Sequence, residues 1–189
     1  MFGWIGWQIL TSSFGGSEAP EALVITPLAT LSAVPSATAA PSAPAAVTID
    51  SAKDYDPYGD KAENAAMAPL AIDGDKTTSW KTVVYKGDTL AGKPGVGLLL
   101  DLGATKDVAE VTITFAAAGC DATVYVTDTA TPDVKTADKL GSRSDSGTSE
   151  TVTGEKPLSG RYVLVWLTGV PKIPTGSYQG AISEITVLS

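Results

Sequence analysis

Residues from about 47 to 189 predict an all-β fold, two antiparallel sheets packed as a sandwich. Three observations carry that prediction. Short apolar runs rich in Val, Ile, Thr and Tyr recur along this stretch, the composition of pleated, half-buried strands. Clusters of Gly, Pro, Asp and Ser separate the runs at intervals of about ten to twenty residues, as reversals between short strands require. Only residues 61–70 keep a helical period, and Pro69 ends it.

The chain ahead of this stretch differs in kind. Residues 1–11 are apolar and carry Trp4 and Trp7, but a helix needs about 20 residues to cross a bilayer. They also lack the positive start and small-residue cleavage site of a secretory signal. They read either as the outer end of a transmembrane helix, its indoles at the interface, or as a disordered leader. Residues 12–46 are rich in Ser, Ala, Pro, Thr and Gly, and Pro20, Pro27, Pro35, Pro41 and Pro44 interrupt any helix. This is the composition of a disordered Pro/Ala/Ser tether, extended at roughly 3 Å per residue.

Six strand runs follow: VGLLLDL (96–102), EVTITF (110–115), ATVYVT (122–127), TSETVT (148–153), RYVLVWL (161–167) and AISEITVL (181–188). In EVTITF, Val111, Ile113 and Phe115 alternate with Thr112 and Thr114, the period of a half-buried antiparallel strand. VGLLLDL and RYVLVWL are apolar on both faces and suit central strands. Trp80 and Trp166 read as core, since a large buried aromatic anchors many sandwiches.

Charge and composition narrow the function. The formal net charge is −8, opposite to the basic footprint that phosphate backbones and anionic membrane surfaces select. The chain has no His and one Cys, which removes the commonest proton-transfer side chain and any zinc site built from His and Cys. Cys120 adjoins a strand run and reads as a small buried hydrophobe. No nucleophile elbow is present, so only an Asp/Glu mechanism would be left to an enzyme, and nothing locates one. The expectation is a module that binds and does not catalyse.

Two stretches concentrate oxygen donors. KDYDPYGDKAEN (53–64) holds Asp54, Asp56, Asp60 and Glu63 at spacings that are not those of an EF-hand, and reads as a solvated acidic turn or a second cation site. AIDGDKTTSW (71–80) places Asp73, Asp75, Thr77 and Thr78 around a tight Asp73-Gly74 turn. Calcium takes 6–8 oxygens from carboxylates, carbonyls and hydroxyls together, so this turn suits it but needs a carboxylate from elsewhere. The alternative is an Asx-turn closed on its own backbone.

AIDGDKTTSW, the following GVGLLLDLG strand and the terminal AISEITVL resemble the discoidin or coagulation-factor type C domains, which include the family 32 carbohydrate-binding modules. That resemblance spans residues 48–188 and implies a galactose-binding-like jelly-roll β-sandwich. It implies a structural calcium held by the Leu70 carbonyl, the Asp73 carboxylate, the Asp75 carbonyl, the Thr78 carbonyl and hydroxyl, the Ser183 carbonyl and the Glu184 carboxylate. A narrower likeness joins KDYDPYGDKAEN and KPGVGLLLDLG to the same turn. It is similar to the extracytoplasmic C-terminal domain of actinobacterial MviN/MurJ-type lipid II flippases and related membrane-anchored pseudokinase proteins. The insertion KTVVYKGDTLAGKPG departs from the plain carbohydrate-binding pattern.

These resemblances imply an extracytoplasmic module in the cell envelope, tethered to the cytoplasmic membrane through its N-terminus. Its partner would be a glycan such as peptidoglycan or its precursor, or else an envelope protein. In such modules the ligand site lies in loops at one end of the sandwich, where Tyr85, Lys86, Lys93, Lys172, Tyr178 and, at a strand start, Arg161 are the candidate ligand-binding residues. Each has a plain alternative, as a packed ring or a solvated charge.

Overall fold

The computed structural model describes residues 44–189. The apolar segment 1–11 and almost all of the tether lie outside the described residues. Eight strands form the domain: β1 (Ala46–Val47), β2 (Ser51–Tyr55), β3 (Trp80–Lys81), β4 (Val96–Phe115), β5 (Asp121–Thr127), β6 (Asp138–Arg143), β7 (Ser149–Gly169) and β8 (Ala181–Leu188). All pairings between them are antiparallel.

Two long strands build both layers. The first part of β4 pairs with β2 on one side and with Tyr162–Leu167 of β7 on the other, and β7 continues to β5 and β6. The second part of β4 pairs with Ser149–Thr153 of β7 and with β8, which carries β1 and β3. Register shifts between Asp101 and Lys106 and between Val108 and Glu110 mark the corner. Bulges of this kind bend a strand and let it serve two packed sheets. The runs predicted separately at 96–102 and 110–115 are therefore one strand, as are 148–153 and 161–167.

Alternation explains the packing. Val111, Ile113 and Phe115 enter the main core with Leu98, Leu100, Val163, Val165 and Trp80. Thr112 and Thr114 face outward, and the Thr112 hydroxyl meets that of Thr151 across the strands at 2.9 Å. Leu99, Leu164 and Trp166 leave from the opposite face of the first sheet and form a second cluster under Tyr55, Tyr125 and Tyr162. The two runs read as apolar on both faces are buried on both faces. Cys120 is buried in the main core, and burial first of all pushes its thiol up to about 12.

Three elements differ from expectation for physical reasons. Residues 61–70, read as weakly helical, give a 3₁₀ segment over Ala65–Ala71 that contains Pro69; tighter turns suit a short run whose proline lacks a donor. β2 and β6 carry few apolar residues, and each pairs with a single strand at the margin of its layer, where packing demands little of the sequence. Tyr55, the last residue of β2, lies opposite Gly97 near the start of β4. The loops 56–64 and 82–95 therefore meet at this end of the sandwich, and main-chain bonds between Tyr85 and Tyr178 add the segment before β8.

Candidate functional site

In the acidic stretch after β2, Asp56 and Glu63 are buried rather than solvated, and they supply two carboxylates to a lysine. Lys61 and Asn64 adopt left-handed backbone conformations, with φ of 67° and 61°, and reverse the chain so that Glu63 points inward. Its side chain is fully buried, as is that of Asp56. The Lys93 ammonium donates to Glu63 Oε1 at 2.5 Å and to Asp56 Oδ2 at 3.2 Å. The Tyr85 hydroxyl also donates to Glu63 Oε1, and the Val83 amide to Glu63 Oε2 at 2.8 Å. Trp80 Nε1 donates to the Glu63 carbonyl at 2.7 Å, which fixes the backbone beneath the carboxylate.

Burial alone would lower the Lys93 pKa, but hydrogen bonds to Glu63, Tyr85 and Asp56 outweigh it and hold the ammonium above its ordinary range. Burial, then the bond to Glu63, raises the Tyr85 phenol well above its usual value. Tyr85 is only 4% exposed, so it is a buried strut and not a displayed ring.

Over this network lies a cleft of about 670 Å³, within the usual range for small-ligand sites. Tyr58, Val83 and Val84 line it. They are the three large apolar side chains that stand exposed among the described residues, at 45, 37 and 56%. Tyr58 keeps one edge on Trp166, with ring centroids 6.2 Å apart. Asp60 and Lys86 add polar groups to the walls, and Glu63, Tyr85 and Lys93 contribute to its lining. A second groove of about 690 Å³ runs past Val47, Asp50, Gly103 and Lys106 and has no aromatic residue in its lining.

Of the six residues picked from sequence, the structure brings Tyr85, Lys86 and Lys93 into one cleft. Tyr178 is half-buried behind it, joined to Tyr85 and to Lys172 by isolated strand bridges. Arg161 lies apart, its guanidinium forked onto Asp101 through two 2.9 Å bonds. Tyr58, Val83, Val84, Asp60, Glu63 and Asp56 were not picked. The available signal was the pair of apolar and aromatic insertions, DPYGD and TVVYK, inside polar loops.

Of the residues that the family resemblance implies for calcium, Leu70, Asp73, Asp75 and Thr78 come together, and Glu184 reaches the turn through Gly74. The Thr78 hydroxyl lies 2.8 Å from Asp73 Oδ2, 3.0 Å from the Asp75 carbonyl and 3.4 Å from the Leu70 carbonyl. Gly74, with φ of 80°, turns its amide onto Glu184 Oε2 at 2.8 Å, which ties the turn to β8. The Asx-turn is also present, the Asp75 amide donating to Asp73 Oδ1 at 2.9 Å. β4 and β8 slip register between Thr114–Glu184 and Phe115–Ile182. Ser183 is thus the extra residue of a bulge, and its backbone groups drop out of the β4 ladder. The set consists of carboxylate, carbonyl and hydroxyl oxygens, the donor chemistry of a hard cation such as calcium.

No known family profile matches the sequence. Solved structures do share the architecture. Chitosan-binding module 1 from the chitosanase/glucanase of Paenibacillus sp. IK-5 superposes with a TM-score of 0.57 at 20% identity, covering 76% of this chain and 98% of that one. The family 32 module of AlyQ, in complex with 4,5-unsaturated mannuronic acid, gives 0.54 at 16% identity over 76% and 97%. The family 32 module of NanJ from C. perfringens, in complex with galactose, gives 0.51 at 18% identity over 73% and 92%. The fold is that of the family 32 carbohydrate-binding modules, the galactose-binding-like β-sandwich. At these identities the likeness is one of architecture, and this chain's cleft is argued from its own residues.

Proposed function

We propose that the chain is a non-catalytic glycan-binding module and that it takes sugar in the cleft between Tyr58, Val84 and Lys86. The observation that carries this reading is the gathering of all three exposed large apolar side chains over one cleft. A pyranose offers an apolar C–H face and a rim of hydroxyls. The half-exposed Tyr58 ring suits the face, and Asp60 and Lys86 suit the rim. Neighbours of the same fold that bind galactose, a mannuronate and chitosan support it. The finer reading, from sequence likeness, is a peptidoglycan strand or its lipid-linked precursor, met by an extracytoplasmic module tethered to the membrane. The Asp73–Thr78 turn with Glu184 would hold a structural calcium that stiffens this end of β8.

The test is binding of the full chain to soluble peptidoglycan fragments and a glycan panel by calorimetry, with Tyr58→Ala and Lys86→Ala beside the parent. Saturable binding should weaken at least about tenfold in Tyr58→Ala, or roughly 1.4 kcal/mol. No binding to any glycan at millimolar concentration, or binding by both variants equal to the parent's, would overturn the assignment. A second reading, docking on an envelope protein, draws on Val83 and Val84, whose exposure suits a protein contact as well as a sugar. Co-purification of one envelope protein, lost in Val84→Asp but kept in Lys86→Ala, would favour it.

A further inference from the structure

We propose that Lys93 and Asp56 condense into a side-chain amide, an isopeptide cross-link that the folded chain forms on itself with Glu63 as proton relay. The proposal rests on the buried triad and is independent of what the cleft binds.

Three features favour reaction over a lasting ion pair. First, the partners are held together. Lys93 Nζ stands 3.2 Å from Asp56 Oδ2 and 2.5 Å from Glu63 Oε1, and both carboxyl side chains are fully buried. Holding a nucleophile against its target removes the entropic part of the barrier.

Second, the triad is unbalanced. Asp56 Oδ1 is buried with no hydrogen-bond partner, and one ammonium serves two carboxyl groups. Condensation removes the Lys93 and Asp56 charges together and leaves Glu63 with its bonds from Tyr85 and Val83.

Third, the competing reaction of Asp56 is closed. An aspartyl side chain cyclises on the amide nitrogen that follows it, and here that residue is Pro57, which has no N–H. Gly59 packs its Cα directly over the carboxyl group. A Cβ there would fall 2.2 Å from Asp56 Oδ2, so only glycine seals the site this closely.

The atoms balance without a co-reactant. One ammonium proton passes from Lys93 to Asp56, giving a neutral amine and a neutral acid. The amine attacks Asp56 Cγ, and Glu63 takes a second proton from the nitrogen as the C–N bond forms. Glu63 returns that proton to the departing hydroxyl, which leaves as water, and the amide keeps the third. The hydrogen bonds that favour the charged lysine oppose the first transfer, so cross-linking is expected to be slow relative to folding. The product would join the end of β2 to the approach to β4 and fasten the loops that carry Tyr58, Val84 and the cation turn.

The experiment is the mass of the purified full chain under denaturing conditions, followed by tryptic mapping. The expected mass is lower than the sequence mass by one water. The expected peptide is branched, residues 54–61 joined to residues 87–106 through Lys93, where trypsin does not cut before Pro94. Lys93→Arg and Glu63→Gln should keep the full mass, and chain held in urea should not cross-link. Full mass and no branched peptide in the folded parent after prolonged incubation would overturn the proposal, whatever the variants do. A Glu63→Gln chain that cross-links as fast as the parent would overturn the relay.

Discussion

The proposed calcium turn makes a quantitative prediction. If a cation occupies the oxygens of Asp73, Asp75, Thr78 and Glu184, it binds the folded chain and not the unfolded one. Free calcium at a hundred times its dissociation constant then stabilises by about 2.7 kcal/mol. For a domain of about 150 residues each kcal/mol moves the melting temperature by about 2–4 °C. Chelation should therefore lower the midpoint by about 5–11 °C. Glu184→Gln separates cation from scaffold. Its amide oxygen can still accept the Gly74 N–H bond seen at 2.8 Å, but it lacks the negative charge a hard cation requires. The variant in calcium should melt within about 2 °C of the parent in chelator, and added calcium should not move it. Differential scanning calorimetry with and without chelator checks both. A parent midpoint indifferent to chelator, or a Glu184→Gln chain that responds like the parent, would refute the reasoning.

Two further outcomes follow from particular contacts. A Cβ at Gly97 would lie 2.0 Å from the Val165 carbonyl oxygen, so Gly97→Ala must push apart the central β4–β7 pair. It should lose at least about 2 kcal/mol in urea unfolding, and a loss under about 0.5 kcal/mol would show that the strands yield freely. Hydrogen bonding from Arg161, opposed by burial, lowers the Asp101 pKa. A carboxylate depressed in the folded state contributes stability above its unfolded pKa of about 3.9 and loses it as pH falls through the folded value. Arg161→Gln should flatten the acid limb of the stability–pH curve below about pH 4 and leave neutral pH little changed, since exposed pairs contribute little. An unchanged acid limb would mean that the fork onto Asp101 is not populated in solution.

The legibility of this chain followed how local each cause was. Alternation in 110–115 and the two-faced runs 96–102 and 161–167 are properties of adjacent residues, so burial imprinted them directly on the sequence. The β8 boundaries emerged whole for the same reason. The Asp73–Thr78 turn was legible because Asp73, Asp75 and Thr78 lie close together in sequence. Its distant partner Glu184 came only with the family resemblance, and the bulge that frees Ser183 has no local signature. The buried triad was illegible because Asp56, Glu63 and Lys93 are brought together by a pairing set elsewhere, that of β2 with β4. Read in sequence, Asp56 before Pro57 and Glu63 before Asn64 look solvated, and a lysine before a proline looks like loop decoration. Only the reversal at Lys61 and Asn64, whose backbones take positive φ, turns Glu63 under Trp80 and onto Lys93. Tyr58, earlier in the same loop, stands at the rim of the cleft. One loop therefore carries both the displayed ring and the hidden carboxylates, and a change that relaxed it would disturb cleft and buried network together.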